Sequence, residues 1–232
     1  MTMMRKRVVV LISGRGSNMA ALAEAVGDPA YPARIVAVIA DKQDARGLNA
    51  AAALGIEAKA ITRDDYPTKA ALDAALDAEL TRLKADIVCL AGYMRLLSSD
   101  FTQKWAGKLI NIHPSLLPLY PGLDTHRRAL DASMRVHGCT VHFVTAEMDA
   151  GPIIAQAAVP VLPDDSEETL ARRVLEAEHK LYPLALRLVA DGRATMQDGK
   201  TVLHGVHAGG TLLSPGPAGE DVDIQTLARM TP

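Results

Sequence analysis

The 232-residue sequence predicts an α/β fold, a doubly wound, mostly parallel sheet with helices on both faces that turns mixed toward the C-terminal part. Three observations carry this expectation. Short apolar runs alternate with helical patterns and short links from Val8 to Ile12 onward, as far as Leu109 to Ile112. The first run is apolar without interruption, as in a strand covered on both faces. Beyond residue 113 the pattern changes: Cys139 to Val144 alternates like a half-buried strand, and Ala155 to Val161 reads as an antiparallel neighbour.

Taken in order, Val8 to Ile12 is a strand and Met19 to Val26 a helix. Ile35 to Ala40 is the second strand. Ala45 to Leu54 is an alanine-rich helix that stops at Gly55, a residue suited to the position after a helix end. Ala58 to Ile61 is a short strand. Thr68 to Leu83 spaces Leu72, Leu76, Leu80 and Leu83 at helical intervals. Asp86 to Ala91 is the fourth strand, Leu96 to Trp105 a helix and Leu109 to Ile112 the fifth strand. A proline-rich loop over 113–127 precedes a helix at Thr125 to Ser133. Ser166 to Asp191 is a long helix with carboxylates near its start, and Pro183 predicts a break or kink inside it. The expected organisation is a domain over 1–198, with halves at about 1–110 and 111–198, and a Gly/Pro-rich tail over 199–232.

Composition narrows the function classes. A net charge of -2 gives no electrostatic footprint for nucleic acid or a membrane surface. The basic start, Arg5 to Arg7, precedes an apolar run too short for a signal peptide, and no stretch reaches transmembrane length. A cytoplasmic protein is expected. Cys89 and Cys139 lack ligand-like spacing, so neither a disulfide framework nor a metal site is expected.

Two segments carry chemistry. Ser13-Gly14-Arg15-Gly16-Ser17-Asn18 links the first strand to the first helix. Its glycines let backbone N–H groups approach an anion at the positive end of the helix, and a phosphate is the natural guest. A tight turn without ligand is the plainer alternative. A nicotinamide-dependent oxidoreductase is the other, because Gly14-x-Gly16 follows a strand and Asp41 ends the next one. Met19 occupies the place of the third glycine of that fingerprint. The second segment, Asn111-Ile112-His113-Pro114-Ser115-Leu116-Leu117-Pro118, leaves the fifth strand with Asn111 and His113 on one face. An amide can donate to an oxyanion, and an imidazole can exchange protons near neutral pH. His126, His137, His142 and His179 read as structural, and the Leu117–Pro118 bond as a candidate cis peptide.

Asn-Ile-His-Pro-Ser-Leu-Leu-Pro resembles the signature of the 10-formyltetrahydrofolate-dependent formyltransferases, and the likeness runs from Val8 to about Arg193. It implies a Rossmann-like formyltransferase fold and a catalytic set of Asn111, His113 and Asp149. Within the family, the Gly-Ser-Asn loop and Glu178-His179-x-x-Tyr182-Pro183 are most similar to members that formylate the amine of glycinamide ribonucleotide, a step of purine synthesis. The resemblance implies that Gly16, Ser17 and Asn18 hold the substrate phosphate and that Glu178 meets the ribose. Lys69, Leu90, Tyr93, Met94, Arg95, Leu96, Leu97, Leu109, Asn111 and Val144 would serve the folate. It implies direct attack of the amine through a tetrahedral intermediate, 10-formyltetrahydrofolate as co-substrate and no metal. The partners expected are those two small molecules, with no nucleic acid or membrane, and a monomer or homodimer. A different amine acceptor within the same family is the nearest alternative.

Overall fold

In the computed structural model, residues 4–205 are described. Seven strands form one sheet in the order β3-β2-β1-β4-β5-β6-β7. They are β1 (Lys6–Ile12), β2 (Ala33–Ala40), β3 (Glu57–Ala60), β4 (Ile87–Leu90), β5 (Leu109–His113), β6 (Val136–Phe143) and β7 (Ile153–Pro160). The first five run parallel. β6 is reversed, pairing antiparallel with both β5 and β7, so the sheet is mixed at that edge.

Strand alternation divides the core between two faces. Val8, Val10 and Ile12 point to one side, where α1 (Ser17–Val26), α2 (Arg46–Ala53), α5 (Thr125–Asp131) and α6 (Glu167–Ala190) pack. Val9 and Leu11 point to the other, against Leu72, Leu76 and Leu80 of α3 (Lys69–Arg82) and Phe101 and Trp105 at α4 (Ser99–Lys104). Tyr182 of α6 is fully buried, and its hydroxyl lies 3.0 Å from the Leu90 carbonyl and 3.1 Å from that of Ile110, which fixes the helix to the centre of the sheet. Cys89 and Cys139 are both free and buried, and burial pushes each thiol up to about 12.

Several boundaries differ from expectation for local reasons. The helix expected from Leu96 begins only at Ser99, because the Ser98 hydroxyl accepts the Phe101 N–H at 3.3 Å and caps it there. β6 is buried along almost its whole length rather than half-buried, since it sits between two strands under helix and loop cover. α6 runs unbroken through Pro183. The Tyr31 hydroxyl donates to the Pro183 carbonyl at 2.6 Å, and the surrounding packing outweighs the one helical hydrogen bond that the proline removes. A hairpin of β8 (Ala194–Gln197) and β9 (Lys200–Leu203) spans the expected domain boundary at 198/199. The rest of the Gly/Pro-rich tail lies outside the described residues.

Candidate active site

The strand order reverses between β1 and β4, and the loops leaving these two strands diverge there, as at ligand crevices of open α/β sheets. The two loops are tied together: Ser13 N donates to the Gly92 carbonyl at 3.1 Å, and Met94 N donates to the Ser13 hydroxyl at 2.8 Å. On the β1 side Gly16 has φ of 74°, and a Cβ there would stand 3.1 Å from the Gly47 backbone. Glycine is therefore required both for the turn and for the close approach of α2. Ser17 and Asn18 open α1, whose first N–H groups have no partner within the helix. Asn18 does not project freely, because it is buried and its Nδ2 donates to Glu178 Oε2 at 2.7 Å. Asn18 Oδ1 is buried without a hydrogen-bond partner, and burial pushes the Glu178 carboxyl up against the opposing effect of Asn18. The two residues expected at phosphate and ribose thus form one buried polar pair beneath the loop.

The second cluster lies on the sheet face that bears α3 and α4. Alternation along β5 places Asn111 and His113 on that face, and the β6 register sets His142 opposite Asn111 and Thr140 opposite His113. Asn111 Nδ2 lies 3.2 Å from His142 Nε2, and His142 Nδ1 lies 2.9 Å from the Phe143 carbonyl. A carbonyl can only accept, so Nδ1 carries the hydrogen and Nε2 accepts from the Asn111 amide. Burial lowers the His142 pKa and keeps this neutral form. The 3.8 Å approach of Asp149 Oδ1 to His142 Nε2 is therefore not an ion pair.

His113 is held from the opposite side. Its Nε2 donates to the Tyr120 carbonyl at 2.9 Å, while Nδ1 faces Asp149 Oδ2 at 3.4 Å. An imidazolium in this position finds an acceptor on each side. At this longer distance the Asp149 contact leaves room for an incoming oxygen to share the Nδ1–H. Asp149 has φ of 54°, and its Oδ2 accepts the Gly122 N–H at 2.8 Å. The proline-rich loop is fastened to the neighbouring strands: Leu117 N donates to Thr140 Oγ1 at 3.0 Å and Gln156 Nε2 to the Leu117 carbonyl at 2.9 Å. The Leu117–Pro118 peptide is cis, as expected.

A cavity opens beside this cluster. Of the residues expected to serve folate, Leu90, Tyr93, Arg95, Leu96, Leu97, Asn111 and Val144 line it. Arg95 is anchored by an ion pair with Asp73, which also accepts the Ser98 N–H at 3.1 Å. Three of the expected residues are not on the wall. Leu109 is fully buried in the core behind it, Met94 turns its side chain to solvent, and Lys69 sits exposed in the first turn of α3. Conversely Thr102 and the segment 145–148 line the cavity without having been singled out, and His142, read as structural, lines it too. The sequence alone does not show this, because the antiparallel pairing that sets His142 beside Asn111 is not written along the chain. Among the described residues no group of three or more His, Cys, Asp or Glu side chains is placed to hold a metal ion. No helix among them is long and apolar enough to cross a membrane.

A sequence profile described as "Formyl transferase" matches residues 6–186, and the chain belongs to the formyl transferase family. It is 45% identical over 198 residues to the phosphoribosylglycinamide formyltransferase of Escherichia coli, covering 85% of this chain and 93% of that protein. It is 51% identical over 188 residues to the trifunctional purine biosynthetic protein adenosine-3 of Bos taurus, covering 81% of this chain but only 19% of that much longer protein. The crystal structure of phosphoribosylglycinamide formyltransferase from Brucella melitensis superposes with a TM-score of 0.78 at 59% identity, covering 80% of this chain and 96% of that one.

Proposed function

We propose that the chain transfers the formyl group of 10-formyltetrahydrofolate to the amine of glycinamide ribonucleotide, in purine biosynthesis. The observation that carries the reading is the juxtaposition of Asn111, His113, His142 and Asp149 at the end of a cavity walled by Leu90, Leu97 and Val144, next to the Gly16 loop. The apolar wall suits a flat heteroaromatic ring, and Arg95 at its rim suits a carboxylate. An apolar wall with a cation beside it fits the residues to the folate co-substrate. On the other side, the start of α1 offers N–H groups to a phosphate. The Asn18–Glu178 pair, with one amide oxygen lacking a partner, offers acceptors to sugar hydroxyls.

Each polar group then has a task at the carbonyl. The Asn111 amide, with one hydrogen on His142, directs its other hydrogen toward the oxygen on which negative charge develops. His113 donates from Nδ1 to the same oxygen while Tyr120 fixes its ring. Asp149 accepts the proton that the attacking amine loses and returns it, through water, to the departing nitrogen, while His113 keeps both of its protons and is held beside the carboxylate. No covalent bond to the protein is required.

The test is a steady-state assay of formyl transfer with both substrates and with a panel of other amines, water included. Turnover on glycinamide ribonucleotide well above every other acceptor is expected. Preferential hydrolysis of the formyl donor, or preference for another amine, would overturn the reading.

A further inference from the structure

The loop between Pro118 and α5 holds both His113 and Asp149, and one exposed side chain grips that loop. Tyr120 supplies the carbonyl that accepts from His113 Nε2, and Gly122 supplies the N–H that donates to Asp149. The loop does not hold this shape through backbone preference alone. Tyr120, Gly122 and Asp124 have φ of 56°, 78° and 57°, and two of these three are not glycine. Such residues persist where their surroundings over-determine them. Arg128, on the first turns of α5, provides that restraint. Its Nη1 donates to the Pro121 carbonyl at 2.6 Å and lies 3.3 Å from the Leu123 carbonyl, and its guanidinium lies 5.2 Å from the centre of the Tyr120 ring.

We infer that Arg128 is a positioning residue for formyl transfer, acting through the Pro121–Gly122 peptide on Asp149 and through Tyr120 on His113. The Pro121 carbonyl and the Gly122 N–H belong to one peptide unit. A cation on the carbonyl both fixes the plane of that unit and polarises its N–H, which strengthens the bond to Asp149 Oδ2. The contact on the Tyr120 ring holds the residue whose carbonyl orients the imidazole. Arg127, its neighbour in sequence, instead pairs with Glu167 and touches none of these groups. This inference rests on the proposed formyl transfer and adds a residue outside the cavity wall to it.

The experiment compares Arg128→Met, Arg128→Lys and Arg127→Met with the parent in the full chain. Methionine keeps length and apolar contact with Tyr120 but removes the donor. For Arg128→Met, kcat is expected to fall about tenfold or more, as for a small displacement of reacting groups, with both KM values within about twofold. Arg128→Lys should recover much of that loss, and added guanidinium should partly rescue Arg128→Met. Arg127→Met should match the parent, and circular dichroism should show all three folded. Parental kcat in folded Arg128→Met, or a loss that lysine and guanidinium leave untouched, overturns the positioning role. A parent that transfers no formyl group to glycinamide ribonucleotide overturns the functional reading itself, a result distinct from either of those.

Discussion

At the scale of single residues, the proposed chemistry divides one task among four side chains, and their removal should separate binding from chemistry. Oxyanion donors act in the transition state, and losing one typically lowers kcat by about 10²–10³. Asn111→Ala and His113→Ala are expected in that range, with KM values little changed. Replacing His142 by leucine leaves the reacting groups in place but frees the Asn111 amide to rotate, so kcat should fall by less than in Asn111→Ala. The double change of Asn111 and His142 should cost no more than Asn111→Ala alone, because the histidine acts through the amide. Stopped assays over a range of both substrates measure this, and additive losses would refute the coupling. The pairing of Asn111 with His113 was legible because both lie on one face of one strand, and the structure brings Asp149 beside them. His142 was not, because its role depends on which strand lies beside β5, and that pairing is invisible along the chain. Lys69, Met94 and Leu109 lie off the cavity wall for a related reason. A position close in sequence to a binding wall still points outward, inward or away according to the backbone turn it occupies.

Among the elements, the first loop and the helices it joins give the sharpest expectation. Gly16→Val forces a branched side chain into a left-handed position against the Gly47 backbone. The start of α1 must shift, and KM for the ribonucleotide should rise about tenfold or more, each tenfold corresponding to about 1.4 kcal/mol. KM for the folate should stay within about twofold, since its cavity is built from other loops. Equal rises in both would mean that the loop serves the fold and not the phosphate. The parallel part of the sheet was legible because buried parallel strands are unbroken apolar runs and their helices carry regular leucine spacing. The long helix was legible at both ends but not through Pro183, since the sequence shows the missing donor and not the packing that compensates for it. The β8–β9 hairpin was overlooked although Asp198-Gly199 is a turn signal. Both residues have positive φ, 48° and 71°, as a tight hairpin turn demands. Its strands are too short and too polar to announce themselves.

Over the whole molecule, buried imidazoles tie stability to pH. Burial, helped by His126, pushes His137 down to about 4, and burial also lowers His126 and His142. The ordinary value in an unfolded chain is about 6.5. A folded pKa below the unfolded one means that the unfolded state takes up protons first. These groups therefore support the fold fully above about pH 6.5, and that support is lost as pH falls toward 4. Thermal unfolding between about pH 7.5 and 4.5 should show Tm falling as the solution is acidified, with a shallower slope in His137→Gln. Identical slopes would place the titrating groups elsewhere.

The two buried thiols make the chain its own unfolding gauge. Cys89 lies in the central strand β4 and Cys139 in the reversed strand β6, so neither is reached by fraying of an end or opening of a surface loop. With their thiols held near 12, almost none is thiolate in the closed protein at neutral pH. Alkylation must then wait for a large opening of the sheet, and its rate counts such openings under native conditions. Peptide mapping after timed exposure to iodoacetamide should show the two sites labelled together at one slow rate. Bound substrates should slow both equally, because a ligand that binds only the folded sheet lowers the population of every open form. Earlier labelling of Cys139 alone would instead reveal that the antiparallel edge detaches as a unit while the parallel strands stay paired.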